Sequence, residues 1–219
     1  MKINFDIDKN EVLRYSGHRD GQVPPHIDRL AEEMAQKIKS NIFPRHIIAR
    51  YSVSIAENGV ALDNGVVLLG EDIKRHLSDC DECLVICATA GIQADNFIRT
   101  NLAMGSIYGL MADAAATAAV ESYCDSLETV LRLEVKNENR YLTWRYSPGY
   151  GDFPFTQQPQ ILAMLQAEKL VGVTCNDSCI MTPSKSVTAV MGIAKAKPAT
   201  KTRSCDRCKN RDNCNFSCR

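Results

Sequence analysis

Apolar residues recur at helical spacing between positions 25 and 43, with charged residues on the opposite face. This i, i+3, i+4, i+7 pattern predicts an amphipathic helix, and Pro44 predicts where it stops. Its apolar positions are Ile27, Leu30, Ala31, Met34, Ala35 and Ile38. A longer helix is predicted from 107 to about 133, because six alanines fall within eight residues there and alanine has the highest helix propensity.

Other stretches have the patterns of strands. Residues 47–55 alternate apolar and polar, and residues 84–88 form an apolar run that suits a buried strand. Asn64-Gly65 predicts a hairpin turn between two short strands. Further elements predicted from local patterns are a short helix over 71–77, a helix after Pro159, and strands near 179–181 and 186–192.

The pattern breaks over residues 136–159. This stretch holds three prolines, two glycines, three tyrosines, two phenylalanines and the only tryptophan of the chain. A loop of this length inside a compact domain usually has a function. Because strands and helices are mixed without regular βαβ alternation, we predict an α+β fold with a mixed or antiparallel sheet and a long central alanine-rich helix.

The end of the chain has a different composition. Residues after 195 are rich in Lys, Ala, Pro and Thr, as in a linker, so we predict a folded domain over 1–195 and a cysteine-rich tail over 196–219. Four cysteines in the tail have a spacing compact enough to bind one zinc ion or an iron–sulfur cluster. They are Cys205, Cys208, Cys214 and Cys218. Cysteines that bind no metal and are reactive or disordered are the equal alternative, because zinc sites usually contain two Cys-x-x-Cys pairs and this tail has one.

Composition and charge exclude several classes of protein. The 219 residues include 26 Lys+Arg and 26 Asp+Glu, so the formal net charge is zero, whereas nucleic-acid-binding domains are usually basic. No apolar run approaches the roughly 20 residues that span a bilayer. The N-terminal residues also lack the apolar stretch of a signal peptide. We therefore expect a cytoplasmic protein with neither a nucleic-acid nor a membrane partner.

The body of the chain lacks the common catalytic motifs. No Rossmann glycine motif or Walker A motif is present, and the four histidines have no metal-ligand spacing. Cys80-x-x-Cys83 precedes a predicted strand, whereas redox pairs follow a strand at a helix N-terminus, so a redox role is disfavoured. Thr89 and Gly91 are expected to form a tight turn into the next helix.

Residues 145–154, RYSPGYGDFP, are the most distinctive stretch and are called the signature loop below. Arg145 offers a planar guanidinium for a carboxylate or phosphate, Tyr150 a flat apolar face with one hydroxyl, and Asp152 an acceptor. Pro148-Gly149 predicts a turn with accessible backbone. These groups suit a zwitterionic small molecule with an aromatic part, while a turn stabilised by an arginine salt bridge explains them equally well.

The signature loop resembles the Arg-x-x-x-Gly-Tyr signature of the activation domain of cobalamin-dependent methionine synthase. Other stretches resemble landmarks of this family in the same order, so that the resemblance covers roughly residues 10–195. These stretches are 12–17, 87–91, 109–123 and 178–193. The chain most resembles the free-standing activation subunits of bacteria that encode this function separately, and the resemblance implies the fold of the methionine synthase activation domain.

The resemblance also implies a function. In this family the domain docks over cobalamin on the methionine synthase core after the cobalt has oxidised to an inactive Co(II) state. S-adenosylmethionine then donates its methyl group, and a flavodoxin- or ferredoxin-type donor supplies one electron. The protein is expected to contribute positioning and electrostatics rather than acid–base chemistry, because the sulfonium is already activated.

The resemblance assigns roles within the signature loop. Arg145 would hold the carboxylate of S-adenosylmethionine, Pro148 and Gly149 would offer backbone to the adenine, and Tyr150 would pack beside the sulfonium, with Ser147 in the same binding loop. Arg145 is expected at a surface site, where truncation to alanine would change the free energy of unfolding by at most about 1 kcal/mol.

Two positions depart from the family. The glutamate that meets the ligand's amino group in the family aligns with Thr117, and Glu121 stands one turn further along, so Glu121 is the candidate for that role. A second acidic position aligns with Asn139, beside Glu138. These departures keep two other functions open: a corrinoid-protein docking or chaperone module that does not bind S-adenosylmethionine, and a metal-stabilised interaction protein that acts through its cysteine tail.

Overall fold

A six-stranded antiparallel sheet forms the centre of the protein, in the strand order β3-β2-β1-β4-β8-β5. The computed structural model describes residues 3–18 and 23–197. The strands of this sheet are β1 (Arg45–Ala56), β2 (Gly59–Leu62), β3 (Val67–Leu69), β4 (Cys80–Thr89), β5 (Tyr141–Leu142) and β8 (Ser186–Ala194). A separate two-stranded hairpin consists of β6 (Thr174–Cys175) and β7 (Met181–Thr182).

Helices cover both faces of the sheet. The larger layer consists of α1 (Lys9–Tyr15), α2 (Pro25–Asn41), α4 (Ile92–Met104) and α5 (Ser106–Asn137). The smaller layer holds the short helices α3 (Glu71–His76), α6 (Gln158–Met164) and α7 (Ala167–Val171), together with a 3-10 turn at Phe155–Gln157. The sheet therefore separates two hydrophobic cores.

Strand β4 contributes side chains to both hydrophobic cores. Its residues 83–88 are apolar, and successive side chains of a strand point to opposite faces. Leu84, Ile86 and Ala88 enter the core under the larger helical layer. Cys83, Val85 and Cys87 enter the second core. A continuous apolar run is the pattern expected of a strand covered on both faces, as predicted.

Helix α5 is the longest element and extends to Asn137, four residues beyond the predicted end. Its alanines are buried against the helical core, where their small side chains permit close packing. Helix α4 approaches closely at Gly109, since a Cβ atom there would lie 2.9 Å from the Cα of Leu102. Together these features confirm the predicted α+β fold with an antiparallel sheet and a long alanine-rich helix.

The stretch predicted as one long loop contains more regular structure than expected. Helix α5 and strand β5 occupy its first part, and the helix predicted after Pro159 is two helices, α6 and α7. The break falls at Gln166, whose φ of 50° is left-handed and incompatible with a continuing α-helix. Sequence periodicity did not indicate this break, because Ile161, Leu162 and Leu165 fit one continuous apolar face.

The four-cysteine site predicted in the tail (Cys205, Cys208, Cys214 and Cys218) lies outside the described residues, and so does most of the tail predicted to start at 196. The domain boundary and the metal site therefore stay predictions. Within residues 3–18 and 23–197, no group of three or more potential metal ligands is found. None of the helices in that part of the chain is long and apolar enough to cross a membrane.

Candidate functional site

The signature loop begins at the open edge of the sheet, alongside β8. The amide of Thr143 donates to the carbonyl of Gly192 over 2.8 Å, and Tyr146 exchanges two backbone hydrogen bonds with Val190, at 2.9 and 2.8 Å. This pairing continues the edge beyond β5. Since side chains alternate along an extended chain, Arg145 points toward α5 and Tyr146 toward the second core.

Arg145 lies against one face of α5, where three carboxylates meet its guanidinium. Its Nη2 is 2.5 Å from Oδ1 of Asp125 and 3.5 Å from Oε2 of Glu121, and its Nε is 3.1 Å from Oε2 of Glu128. We call these three residues the acidic trio. Their spacing of i, i+4 and i+7 places them on one side of the helix.

The burial of Arg145 corrects the expectation of a surface residue, because its side chain is only 5% exposed. Burial alone lowers the pKa of Arg145, but Cys124, Glu121, Asp125 and Glu128 around it raise that pKa above the ordinary value. Its Nη1 is buried and has no hydrogen-bond partner among the described residues. One nitrogen of the guanidinium, with two N–H donors, therefore makes no hydrogen bond to the acidic trio.

The other side of the loop is built on aromatic rings. Tyr146 lies at the centre of an aromatic cluster and touches every other member of it. The centroids of contacting rings in this cluster are 4.8 to 6.2 Å apart. The members are His76, Trp144, Tyr146, Tyr150 and Phe153. Tyr150 is the most exposed member, with 54% exposure, whereas Trp144 is half-buried and Phe153 is 1% exposed.

His76 is the titratable member of the aromatic cluster. Its Nε2 is 2.9 Å from Oγ1 of Thr143, and burial lowers the pKa of His76 from 6.5 to about 4. The folded protein therefore holds this imidazole neutral in a pH range where the unfolded chain would protonate it.

Acidification is expected to destabilise the protein through His76. Between pH 6.5 and 4 the unfolded state binds more protons than the folded state, so stability falls as pH falls, at most about tenfold in the unfolding constant per pH unit. Denaturant titrations across this range should show a flatter pH dependence for His76→Gln than for the wild type. The control is His26→Gln, which changes an exposed histidine and should keep the pH dependence of the wild type. If the free energy of unfolding depended on pH in His76→Gln as it does in the wild type, this assignment would be contradicted.

The turn of the signature loop is closed by its own backbone. Gly149 N donates to Phe153 O over 2.8 Å, Tyr150 N to Ser147 O over 3.0 Å, and Phe153 N to Tyr150 O over 3.0 Å. Gly149 has a φ of 92°, which a glycine adopts without strain. Asp152, which the sequence suggested as an acceptor for a ligand, instead accepts the amides of Glu71 and Asp72 at the start of α3.

The positions that depart from the family pattern are engaged elsewhere. Thr117 accepts a hydrogen bond of 3.0 Å from Nζ of Lys185, which also pairs with Asp113 at 2.8 Å. Glu138 pairs with Arg50 at 2.8 Å. Of the acidic residues considered from the sequence, only Glu121 contacts Arg145, whereas Asp125 and Glu128 were not anticipated.

Three cysteines of β4 have thiols whose pKa is raised by burial. Burial raises the pKa of Cys83 and Cys87 to about 12, and that of Cys80 to about 11. Reactive cysteines need a lowered pKa, since the thiolate is the nucleophile. The raised pKa values of Cys80 and Cys83 disfavour a thiolate at either position.

The fold is similar to that of a solved protein structure. The crystal structure of the MetH reactivation domain bound to AdoHcy matches with a TM-score of 0.63 and 18% sequence identity, over 84% of this chain and 70% of that chain. The chain therefore has the α+β fold of this reactivation domain. No curated protein matches the chain.

The sequence itself identifies the family. Residues 78–218 match the model of the vitamin B12 dependent methionine synthase activation domain, and this range contains β4, α5, the signature loop and β8. The chain belongs to that family. Its fold and its sequence thus place it with a domain that is one part of a methyltransferase.

Proposed function

We propose that this protein binds S-adenosylmethionine at the signature loop and supports the reductive methylation of cobalamin carried by a methionine synthase core. Membership of the activation-domain family carries the proposal. The similar MetH reactivation domain was crystallised with AdoHcy, which is what remains of S-adenosylmethionine after its methyl group has left. A flavodoxin- or ferredoxin-type protein would supply the electron.

The geometry supports a ligand that spans the edge of the sheet. Arg145 lies on the α5 side and Tyr150 on the side of the second core, with Ser147, Pro148 and Gly149 between them. S-adenosylmethionine is extended, with a carboxylate and an ammonium at one end and adenine at the other. Its carboxylate would bind Arg145, the sulfonium would lie near Tyr150, and the backbone of Pro148 and Gly149 would meet the adenine.

Charge favours this orientation. Arg145 and the acidic trio together carry three negative charges and one positive charge, so the site has a surplus of acidic groups. An opposite charge within a few Å stabilises an ammonium or sulfonium. A ligand carboxylate that reaches Arg145 would take the place of one acidic side chain, and Glu121, at 3.5 Å the most distant of the three, would be free to pair with the ammonium.

One observation favours a different function. The guanidinium of Arg145 is already paired with the acidic trio, and the hydroxyl of Thr117 already accepts a hydrogen bond from Lys185. These contacts are compatible with a module that docks on a corrinoid protein without binding S-adenosylmethionine, because such a module needs no unpaired groups for that ligand. Binding of S-adenosylmethionine separates this function from the first.

Replacing Tyr150 tests the proposed binding site with little risk to the fold. Removal of this exposed ring by Tyr150→Ala should weaken S-adenosylmethionine binding about fivefold, because a cation beside an exposed aromatic ring is stabilised by about 1 kcal/mol. Isothermal titration calorimetry measures this. Tyr141→Ala, which removes a 45% exposed tyrosine from β5, should leave the affinity unchanged. Absence of binding by the wild type would favour the docking module, and equal affinities of all three proteins would contradict the assigned site.

A further inference from the structure

Two aspartates join the signature loop to helix α3. We propose that Asp152 and Asp72 form a reciprocal clasp that positions the part of the loop carrying Tyr150. Asp152 is here a positioning residue rather than a ligand contact, and its importance for ligand binding rests on the function proposed above.

The clasp consists of three hydrogen bonds. The carboxylate of Asp152 accepts the amides of Glu71 and Asp72, each at 2.8 Å, and thus satisfies two of the unpaired amides at the start of α3. In return, Oδ2 of Asp72 accepts the amide of Asp152 at 3.1 Å. The carboxylate of each aspartate therefore accepts the backbone amide of the other, and these hydrogen bonds join the two segments in both directions.

Glycines on both sides allow this close approach. Gly70, just before α3, has a φ of 121°, and a Cβ atom there would lie 2.8 Å from Oδ1 and 3.0 Å from the carbonyl oxygen of Asp152. Gly151, just before Asp152, has a φ of 55°, and a Cβ atom there would overlap the carboxylate of Asp72. A side chain at either position would push the two segments apart.

The electrostatics of the clasp are favourable for an ionised Asp152. The amides of Asp72 and Glu71 lower the pKa of Asp152, so the carboxylate is charged when it receives them. Negative charge at a helix N-terminus is stabilised by the helix dipole and by the free amides. Asp72 also pairs with Arg75 in the first turns of α3, which holds its carboxylate in place.

The clasp reaches Tyr150 through short hydrogen bonds. Phe153, next to Asp152, donates its amide to the carbonyl of Tyr150 at 3.0 Å, and the hydroxyl of Tyr146 donates to the same carbonyl at 3.2 Å. The backbone of Tyr150 is thus held between the clasp and the aromatic cluster, while its ring stays exposed. Loss of the clasp should free this backbone without removing any group that touches the ligand.

The test compares Asp152→Ala and Asp152→Asn with Asp63→Ala. Asp63 is a matched control, because its carboxylate also accepts a backbone amide, that of Ser52 at 3.1 Å, but at the turn between β2 and β3. S-adenosylmethionine affinity would be measured by calorimetry, at a temperature where each variant is fully folded. We expect about fivefold weaker binding for Asp152→Ala, as loss of one capping interaction implies, an intermediate loss for Asp152→Asn, and no change for Asp63→Ala.

Amide hydrogen exchange gives a second readout that needs no ligand. In Asp152→Ala the amides of Glu71, Asp72 and Phe153 should exchange faster than in the wild type, and in Asp63→Ala they should not.

If the Phe153 amide keeps its protection in Asp152→Ala, the clasp does not position the loop and the inference is overturned. If the Phe153 amide loses protection but the affinity stays at the wild-type value, the positioning role in binding is overturned. If the wild type itself does not bind, the proposed function fails, and exchange alone decides on the clasp.

Discussion

Arg145→Ala is expected to lower the free energy of unfolding by about 3 kcal/mol and to abolish measurable S-adenosylmethionine binding. Breaking a buried ion pair leaves its partners uncompensated, which commonly costs about 3–5 kcal/mol. The lower end applies here, because Asp125 and Glu121 are 62% and 40% exposed and water can solvate them, whereas Glu128 is only 14% exposed.

Denaturant unfolding and calorimetry with two further variants test this expectation. Arg145→Lys keeps the positive charge beside the acidic trio but loses the planar fork, so it should retain most of the stability and still bind more weakly. Arg99→Ala removes an exposed arginine from α4 and should change stability by less than about 0.5 kcal/mol. If Arg145→Ala were as stable as the wild type, the described contacts with the acidic trio would not hold in solution.

Phe153→Ala is expected to have the largest effect on stability, about 4 kcal/mol. Its ring is 1% exposed and stacks on Tyr146 with an interplanar angle of 15°. Truncation of a buried phenylalanine costs about 3–5 kcal/mol, because apolar area is lost and a cavity remains. The cavity would open beneath the turn that carries Tyr150, so the binding loop should loosen together with the second core.

A second phenylalanine two positions away provides the matched control. Phe155 is 44% exposed, so Phe155→Ala should cost less than about 1 kcal/mol in the same denaturant titration. The fluorescence of Trp144, the only tryptophan, reports on the aromatic cluster directly and should change in Phe153→Ala. Equal stability losses for the two variants would show that the described packing of Phe153 is wrong.

The main elements of the fold follow from local sequence patterns. The alanine-rich stretch, the apolar run at 84–88 and Asn64-Gly65 indicated α5, β4 and the β2–β3 hairpin, because each pattern reflects the backbone geometry of a few neighbouring residues. The break between α6 and α7 was missed, since a left-handed Gln166 leaves no such signature. The signature loop was found, but its regular start beside β8 depends on pairing with Val190, which is distant in sequence.

The environment of Arg145 shows why the site was only partly predictable. The i, i+4, i+7 spacing of Glu121, Asp125 and Glu128 is visible in the sequence, yet nothing local indicates that this face meets Arg145. Burial of that arginine follows from the pairing of the loop with β8, and the surface position expected for the proposed ligand-binding arginine was therefore wrong. The contacts of Asp152 with α3 could not be predicted for the same reason, because its partners are 80 and 81 residues away.

In the proposed function, the ligand would meet a site that already holds four charged side chains. The acidic trio pairs with the buried Arg145, and Nη1 is the guanidinium nitrogen that has no hydrogen-bond partner among the described residues. A ligand with one carboxylate and two cationic groups carries a net charge of +1, which would offset part of the negative surplus of Arg145 and the acidic trio. Tyr150, held by the aromatic cluster and the clasp, would meet the sulfonium end.

Formation of methylcobalamin is the most direct measurement of the central claim. A methionine synthase core with oxidised cobalamin would be mixed with S-adenosylmethionine and a one-electron donor, and the absorbance of methylcobalamin followed over time. The account predicts that adding this protein accelerates the reaction and that Tyr150→Ala accelerates it less. Rates that are identical with and without the protein would contradict the account.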